Sequence, residues 1–185
     1  MQVAVKSDFV SVANYLAAEE VSDVRHEYLG GLVYAVPHET LNHNQIIGNL
    51  LCEIRPALKK SSNRLYVIGI PVNFDFRSDE YFYFLDLVVT CDKRDTYPRL
   101  IRHPNLITEV LSESTERVDK REKFFAYTSI APLEEYVLVE QDVKEVSVFR
   151  RGNGWKGEKF SGQKSAAVLR SLKLKLPLAA IYEGV

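Results

Sequence analysis

The sequence predicts an α/β or α+β fold in which helices flank a mixed central sheet. Apolar residues at helical spacing in residues 43–60 indicate one long amphipathic helix. Several short segments rich in aromatic and β-branched residues indicate strands. The 185 residues, 46% of them hydrophobic, suit one domain with a full core, and no repeat or Pro/Gly-rich linker divides them. We therefore expect residues 1–185 to form a single domain.

The first half of the chain opens with a short helix and a hairpin. Residues 10–20 predict the helix. Residues 25–36 predict two strands joined at Gly30-Gly31, because paired glycines are typical of tight hairpin turns. In residues 43–60 the apolar positions form one helical stripe, which comprises Ile46, Ile47, Leu50, Leu51, Ile54 and Leu58. This longer helix is expected to pack on the sheet.

Central strands are expected at residues 65–76, 80–91 and 106–112, which are rich in aromatic and β-branched residues. The loop between the last two strands carries four basic residues and a histidine: Lys93, Arg94, Arg99, Arg102 and His103. Residues 119–129 predict a helix that ends before Pro132.

The last part of the chain predicts a further strand at residues 135–139 and then a hairpin. In that hairpin, residues 146–150 are followed by a Gly-Asn-Gly turn at residues 152–154. The tail, residues 172–181, is apolar and interrupted by Pro177. We expect it to fold back onto the core.

The two cysteines, Cys52 and Cys91, lie far apart and match no zinc-binding spacing. We therefore expect reduced thiols in a cytoplasmic protein rather than a disulfide framework. The first ten residues lack the pattern of a signal peptide, and no segment approaches the roughly 18 apolar residues that cross a bilayer. The sequence thus predicts no membrane association.

The net charge of −1 argues against a general nucleic-acid coat protein, which needs many cations to neutralise phosphates. The charges are unevenly distributed. Residues 141–185 contain 9 Lys and Arg against 4 Asp and Glu, a balance of +5, whereas residues 1–140 contain 15 against 21, a balance of −6. This distribution suits a metal centre beside a phosphate-binding surface, although solvated lysines on exposed strands give the same pattern.

Two acidic residues, Asp86 and Glu109, lie inside segments that otherwise predict buried strands. Strand side chains alternate between faces, so each acid shares a face with apolar neighbours: Phe84 and Val88 for Asp86, and Ile107 and Leu111 for Glu109. A buried carboxylate needs a partner, and a divalent metal ion bound by both acids provides one. An ion pair with an arginine such as Arg102 is the alternative.

This pattern suits hydrolysis of a phosphodiester, which requires charge stabilisation on the phosphoryl oxygens, an activated water and relief of charge on the leaving oxygen. Mg²⁺ or Mn²⁺ on hard oxygen ligands supplies all three, and Asp86 and Glu109 are ligands of that kind. The backbone carbonyl of Val110, next to Glu109, is a further candidate ligand. Lys123, on the next predicted helix, is expected to orient the attacking water or to stabilise developing negative charge.

Several polar residues near these acids also have purely structural explanations. Asp119, with Glu122 three positions later, fits a helix N-terminal capping box. Lys123 judged without its neighbours is expected to be an exposed helix lysine, and it forms an i,i+4 pair with Asp119. Tyr127 is expected to pack in the core, and His43 is expected to cap a helix or pack rather than touch the site.

Segments spread over the chain carry a resemblance to a known family. They are Tyr15-Leu16 and residues 25–28, 42–44, 86–89, 107–112 and 135–139, together with Asp119, Lys123 and Tyr127. In this order and spacing the chain resembles the PD-(D/E)XK nuclease superfamily. Over nearly its full length it resembles the Uma-two family of restriction-endonuclease-like proteins, which is abundant in cyanobacteria. The resemblance implies a restriction-endonuclease-like fold, a Mg²⁺- or Mn²⁺-dependent endonuclease activity on nucleic acid, in particular DNA, and a homodimer.

The resemblance also implies roles for two further residues. The motif lysine of the superfamily is expected here not two residues after Glu109, where this chain has Leu111, but on the next helix at Lys123. An acidic residue near the first hairpin joins the site in this family, and Glu27 occupies the matching position. The catalytic set predicted for this chain is therefore Asp86, Glu109, Lys123 and Glu27.

Two positions depart from the family pattern. The residue before the motif aspartate is usually proline and is Leu85 here, and the acidic Asp-Gly-Glu turn expected after Glu27 reads Gly30-Gly31-Leu32. The missing turn acids favour an alternative from another class, in which a catalytically inactive binding or interaction domain has kept the nuclease fold.

Overall fold

The computed structural model describes residues 4–6, 9–59, 61–67, 69–112 and 119–185. The helices are α1 (Val12–Glu20), α2 (Leu41–Leu58), α3 (Phe124–Thr128) and α4 (Leu178–Ile181), and one π-helical turn, Asp119–Lys123, directly precedes α3. The strands are β1 (Ala4–Lys6), β2 (His26–Leu29), β3 (Leu32–Ala35), β4 (Arg64–Val67), β5 (Pro71–Phe76), β6 (Asp79–Phe84), β7 (Leu87–Thr90), β8 (Leu106–Leu111), β9 (Glu135–Glu140), β10 (Glu145–Arg150), β11 (Gly157–Ser161), β12 (Ala166–Leu169) and β13 (Leu174–Pro177).

Within these ranges the strands form three sheets. The central sheet has six strands in the order β11-β10-β9-β8-β7-β4, and it is mixed because β8 and β9 run parallel while its other neighbouring strands are antiparallel. An antiparallel sheet of five strands has the order β1-β3-β2-β6-β5, and β12 pairs with β13. The predicted α+β class, with a mixed central sheet flanked by helices, is confirmed.

Helix α2 covers one face of the central sheet. It begins after Thr40, whose side-chain oxygen accepts the N–H of His43 and so caps the first turn. Its predicted apolar stripe is buried, apart from Leu51, which is half-buried. The stripe packs on strand residues such as Val137 and Val139, and α4 completes this core through residues such as Ile181. The apolar tail therefore folds back onto the core, as predicted.

The opposite face of the central sheet packs against the five-stranded sheet and α3. This second core contains Ile107 and Leu111 of β8, Tyr83 of β6 and Tyr127 of α3. All six residues of β8 are buried, because both faces of the sheet are covered. A charged residue in β8 must therefore find its partners inside the protein.

Two predicted strands each turned out to be two strands, because the chain passes from one sheet to the other. Residues 65–76 divide into β4 and β5, and residues 80–91 divide into β6 and β7. Strand β4 pairs with β7 in the central sheet and β5 pairs with β6 in the second sheet, so the four strands form one long hairpin that bends. The bend lies at Gly69-Ile70 on one arm and at Leu85-Asp86 on the other, which makes a corner between the sheets.

The remaining expectations differ in smaller ways. The hairpin of β2 and β3 turns at Gly30 (φ 55°) and Gly31 (φ 100°), as the paired glycines predict. Residues 119–129 are helical but begin with the π-helical turn, and β1 and β12 were not predicted. None of the described helices is both long and apolar enough to cross a membrane.

Candidate functional site

Asp86 lies at the corner between the two sheets and not within a strand, so its predicted strand position is wrong. Strand β7 begins at Leu87, opposite Thr108 of β8, and therefore does not reach the position opposite Val110. The Asp86 carboxylate takes that place, because its Oδ2 accepts the N–H of Val110 at 2.7 Å. The corner thus turns an acidic side chain onto the edge of β8.

Glu109 lies in the middle of β8, on the same face as Ile107 and Leu111, as predicted, and only 3% of its surface is exposed. Its Oε2 accepts the backbone N–H of Asp86 at 3.2 Å. Asp86 thus donates its backbone N–H to Glu109, and its carboxylate accepts the backbone N–H of Val110, the next residue of β8. The corner is therefore held to β8 by both predicted metal ligands.

Lys123, the last residue of the π-helical turn, brings an ammonium group to the same point. Its Nζ lies 3.2 Å from Oε1 of Glu109 and 3.1 Å from Oε1 of Glu27, and 5.3 Å from the centre of the Tyr83 ring. Lys123 is 7% exposed, so the exposed-lysine alternative is wrong. Glu27, on β2 of the second sheet, is 2% exposed. Each of these charged groups comes from a different element.

A cavity of about 380 Å³ contains all five predicted site residues in its lining: Glu27, Asp86, Glu109, Val110 and Lys123. Among the four charged side chains of the predicted site, that of Asp86 is the most open, with 17% of it accessible. The carboxylates and the ammonium thus meet where a ligand can approach.

His43 also belongs to this cluster, which the sequence did not predict. Its Nε2 lies 3.1 Å from Oδ2 of Asp86 and 3.4 Å from Oε2 of Glu39. His43 is 1% exposed, so the expected capping role is wrong: Thr40 caps the helix, and the imidazole reaches the site. The i,i+4 spacing of Glu39 and His43 across the start of α2 is the sequence signal that marks this position.

Tyr127 combines the predicted core packing with a contact to the site. Its hydroxyl donates a hydrogen bond of 3.1 Å to Oε1 of Glu109. Burial raises the pKa of the Tyr127 hydroxyl well above its usual value, with a further rise from Glu109 and an opposing effect of Lys123. The hydroxyl therefore stays protonated and remains a donor to the carboxylate.

Other expectations do not join the site. Arg102 donates to Asn73 at 2.6 Å and pairs with Glu80, so the alternative in which it neutralises Asp86 or Glu109 is wrong. The side chain of Asp119, and with it the predicted capping box and i,i+4 pair, lies outside the described residues. The basic C-terminal third contributes no residue to the cavity lining among those that the structure describes.

The residues present fit a divalent metal ion with an open coordination shell. Mg²⁺ is typically held by one or two carboxylates, and waters and substrate phosphates complete the shell. Oδ2 of Asp86 accepts the N–H of Val110, while Oδ1 has no hydrogen bond within the described part of the chain. No group of three or more His, Cys, Asp or Glu among the described residues forms a closed ligand set. Two carboxylates facing a cavity match the open arrangement.

The glycines that replace the acidic turn of the family pattern lie away from this cavity. Gly30 and Gly31 turn the hairpin, and a Cβ on Gly31 would lie 2.4 Å from the Phe9 ring. Residues 30–32 are not part of the cavity lining. The departure at the turn therefore removes no side chain from the candidate site.

Comparison with known proteins agrees with the fold and identifies the family of this chain. The model of the Uma2 family, described as "Putative restriction endonuclease", matches residues 12–179. The chain belongs to this family. The match to the Uma-two family includes every residue of the cluster, from Glu27 to Tyr127.

Two relatives of this Uma-two chain come from Synechocystis sp. (strain ATCC 27184 / PCC 6803 / Kazusa). The uncharacterised protein slr1290 is 28% identical over 181 residues, which cover 95% of this chain and 93% of the relative. The uncharacterised protein sll1609 is 27% identical over 153 residues, which cover 82% of this chain and 86% of the relative. The similarity therefore extends over most of each protein.

A crystal structure from Anabaena variabilis ATCC 29413, described as "a putative nuclease belonging to DUF820", has a similar fold. Its TM-score is 0.77 at 15% sequence identity, over 94% of this chain and 98% of that chain. At this identity the likeness establishes a shared, nuclease-type fold for the Uma-two chain.

Proposed function

We propose that this Uma-two protein is an endonuclease that hydrolyses phosphodiester bonds of DNA with Mg²⁺ or Mn²⁺. The observation that carries the proposal is the convergence of Asp86, Glu109 and Lys123, from a corner, a strand and a π-helical turn, in one cavity. Two carboxylates beside a fixed cation provide ion binding and charge stabilisation, which phosphoryl transfer requires. The family description supports a nuclease.

Asp86 and Glu109 would hold the ion, with the carbonyl of Val110 as a third protein ligand. The N–H and C=O of one strand residue point to the same edge of the strand, so this carbonyl is expected on the edge where the Val110 N–H meets Asp86. When bound, the ion would polarise the phosphoryl group and lower the pKa of a bound water.

Lys123 would stabilise the negative charge that develops on the phosphoryl oxygens. Its ammonium is held between Glu27 and Glu109, so little reorganisation is needed when a phosphate arrives. Glu27 acts as an accessory acid that holds this ammonium in place. Tyr127 orients Glu109 by its hydrogen bond, and His43 orients Asp86.

The experiment is nicking of supercoiled plasmid DNA in Mn²⁺, with wild type beside Glu109→Gln and Lys123→Ala. We expect the wild type to nick the plasmid, Glu109→Gln to be inactive, and Lys123→Ala to be slower by about 100- to 1,000-fold, the usual cost of removing one charge-stabilising group. Asp75→Asn and Lys156→Ala are matched controls, because both residues are exposed and outside the cavity.

Metal binding is measured separately by the loss of the free Mn²⁺ signal in electron paramagnetic resonance. The wild type and Asp75→Asn should bind Mn²⁺, and Glu109→Gln should bind it more weakly. Full nicking activity in Glu109→Gln would contradict the site assignment.

The alternative, an inactive binding domain with the nuclease fold, is favoured by one observation. Among the described residues, no group of three or more Asp, Glu, His or Cys side chains is arranged so that it could hold a metal ion. A wild-type protein that neither nicks plasmid nor binds Mn²⁺ would establish this alternative over the enzyme.

A further inference from the structure

A second cavity, of about 540 Å³, lies next to the candidate site and shares the wall residues Arg25, Gly69 and Phe84 with it. We propose that this second cavity binds one unpaired nucleotide next to the scissile phosphate, with the base against Phe84 and a phosphate on Arg25. This inference rests on the proposed endonuclease function, because it assigns that function a substrate class: DNA with an unpaired nucleotide.

Arg25 is the cation that separates the two cavities. It is exposed, and its guanidinium lies 5.7 Å from the centre of the Phe84 ring. Its backbone carbonyl accepts the N–H of Val36, but within the described part of the chain its guanidinium forms no hydrogen bond and no ion pair. Arginine commonly binds phosphate through its planar set of N–H donors and also stacks on aromatic rings. Its charge is therefore available to a ligand that enters either cavity.

Gly69 makes room for this arrangement. It lies at the bend between β4 and β5, with φ at 99°, a backbone conformation that favours glycine. A Cβ at this position would approach Nη2 of Arg25 to 2.7 Å, closer than two such atoms can lie. The guanidinium thus lies in the space beside the bare Cα of Gly69, at the same corner of the bent hairpin that positions Asp86.

The acidic residues of the second cavity are already paired. Glu19 accepts the backbone N–H of His26 at 2.9 Å and lies 3.0 Å from its Nδ1. Glu20 pairs with Arg99 at 2.6 Å. Arg99 offsets the charge of Glu20, and Glu19 is held by the hydrogen bond from His26. Arg25 is left as the cation without an acidic partner among the described residues. A ligand that carries a negative charge matches this balance.

The size and lining of the cavity favour a single nucleotide over a duplex. A volume of about 540 Å³ lies within the range of small-ligand sites, roughly 300–1,000 Å³, whereas a double helix cannot enter such a space. Phe84 and the exposed Tyr97 provide aromatic surfaces, and every base can stack on an aromatic ring irrespective of sequence. A base that is free of its complementary strand is the fragment of DNA that fits.

The test uses fluorescein-labelled duplexes that contain one unpaired nucleotide, the same duplex with an abasic residue at that position, and the fully paired duplex. Binding of the full chain is measured by anisotropy in Ca²⁺ and in EDTA, and cleavage is measured in Mn²⁺. The variants are Phe84→Leu, which keeps apolar volume, and Arg25→Ala. The matched control is Arg77→Ala, because Arg77 stacks on Phe76 in the same way, 5.0 Å from the ring centre, but lines neither cavity.

We expect the wild type to prefer the duplex with the unpaired base by about tenfold over the abasic duplex, as for stacking of one base. Phe84→Leu should remove this preference. Arg25→Ala should weaken binding of both duplexes and reduce the slope of log affinity against log salt by about one, because one phosphate contact is lost. Arg77→Ala should leave the preference unchanged.

The failure of this inference is distinct from the failure of the endonuclease proposal. If the wild type cleaves but treats the three duplexes alike, or if Phe84→Leu keeps the preference, the nucleotide site is overturned and the nuclease stands. If the preference depends on Phe84 and Arg25→Ala weakens binding, but nothing is cleaved, the nucleotide site is supported as a binding site and the endonuclease is overturned. A wild-type protein that neither binds nor cleaves these duplexes would overturn both the nucleotide site and the endonuclease proposal.

Discussion

Lys123 lies between two carboxylates that are as buried as it is. Its Nζ contacts both Glu27 and Glu109, and the three side chains are between 2% and 8% exposed. Taking such charges out of water is costly, and their mutual attraction offsets this cost only while all partners are present. The stability of the protein therefore depends on the completeness of this cluster.

We predict that Lys123→Met destabilises the protein by about 3–5 kcal/mol at neutral pH, because it leaves two buried carboxylates without their cation. Adding Glu27→Gln should recover part of this loss, since one of the two charges is then removed. Urea unfolding measures both effects. Lys156→Met, at an exposed position, is the control, and an equal effect of Lys156→Met and Lys123→Met would show that the charge cluster contributes nothing.

Buried tyrosines surround the same residues. Burial is the largest cause of the raised pKa of the Tyr83 and Tyr127 hydroxyls. Glu27 raises the pKa of Tyr83 further, and Glu109 raises that of Tyr127. Lys123 lowers both pKa values and so opposes these effects. Burial likewise raises the pKa of Tyr15 and Tyr182 above the ordinary value of 10.0. These hydroxyls keep their protons in the folded protein when an unfolded chain has lost them.

Stability should therefore fall in alkaline solution. Above pH 10.0 the unfolded state binds fewer protons than the native state, so the free energy of unfolding decreases as pH rises toward the folded pKa values. The measurement is a titration from neutral to strongly alkaline pH, followed by the absorbance of tyrosinate. The titration in buffer reports the pKa values of the folded protein, and the titration in urea reports those of the unfolded protein. Coincident titration curves for the folded and unfolded protein would contradict the prediction.

The bent hairpin of β4 to β7 decides the geometry of the candidate site. Its corner places Asp86 beside β8 on one arm and Gly69 beside Arg25 on the other. A straight ribbon would have alternated these side chains between two faces of one sheet. Because the ribbon bends, the proposed metal ligand Asp86 and the candidate phosphate-binding arginine lie in the walls of adjoining cavities.

A second buried ion pair fastens the C-terminal elements to the central sheet. Glu135 at the start of β9 accepts from Nε of Arg150 at 2.8 Å and from the backbone N–H groups of Arg170 and Ser171. Arg150 also donates to the carbonyl of Val168 in β12. The residues around β12 are thereby joined to β9 and β10 through one carboxylate and one guanidinium.

We predict that Glu135→Ala destabilises the protein by about 3–5 kcal/mol, because it leaves the Arg150 guanidinium buried without its main partner. Glu158→Ala removes the other acid that contacts Arg150, but the Glu158 side chain is 46% exposed, so a loss of less than about 1 kcal/mol is expected. Urea unfolding of the two variants makes the comparison. A larger loss in Glu158→Ala would contradict it.

The three sheets share their cores, since the central sheet is covered by α2 on one face and by the five-stranded sheet on the other. Within the described residues, buried apolar side chains fill the space on both faces of the central sheet. This arrangement agrees with the expectation of one domain over residues 1–185, which stays a prediction. The homodimer implied by the family resemblance also stays a prediction, for which sedimentation equilibrium is the measurement.

We predict one cooperative unfolding transition in urea. Fluorescence of Trp155, which packs against the core between the sheets, and far-ultraviolet circular dichroism should give the same midpoint. Two separated transitions would show that the second sheet unfolds independently of the central sheet.

The sequence by itself determined the elements and the chemical types of the site. The apolar stripe of α2 and the continuous apolar segment of β8 follow from local periodicity, because each side chain's face depends only on its own helix or strand. The acids Asp86 and Glu109 stood out for the same reason, since a charge in an apolar segment needs no tertiary information to be noticed. Lys123 was expected from its place on the next predicted helix and again from the family resemblance, whereas Glu27 was identified through the resemblance alone.

Only the tertiary structure decided how these residues meet. The corner at Leu85-Asp86 depends on the packing of two sheets, and no local pattern distinguishes a bent strand from a straight one. The contact of His43 with Asp86 joins residues 43 positions apart, and the contact of Arg25 with Gly69 joins residues 44 positions apart. Residues so far apart in sequence come into contact because both faces of the central sheet are buried. This burial is a cooperative property of the whole core, which no single segment encodes.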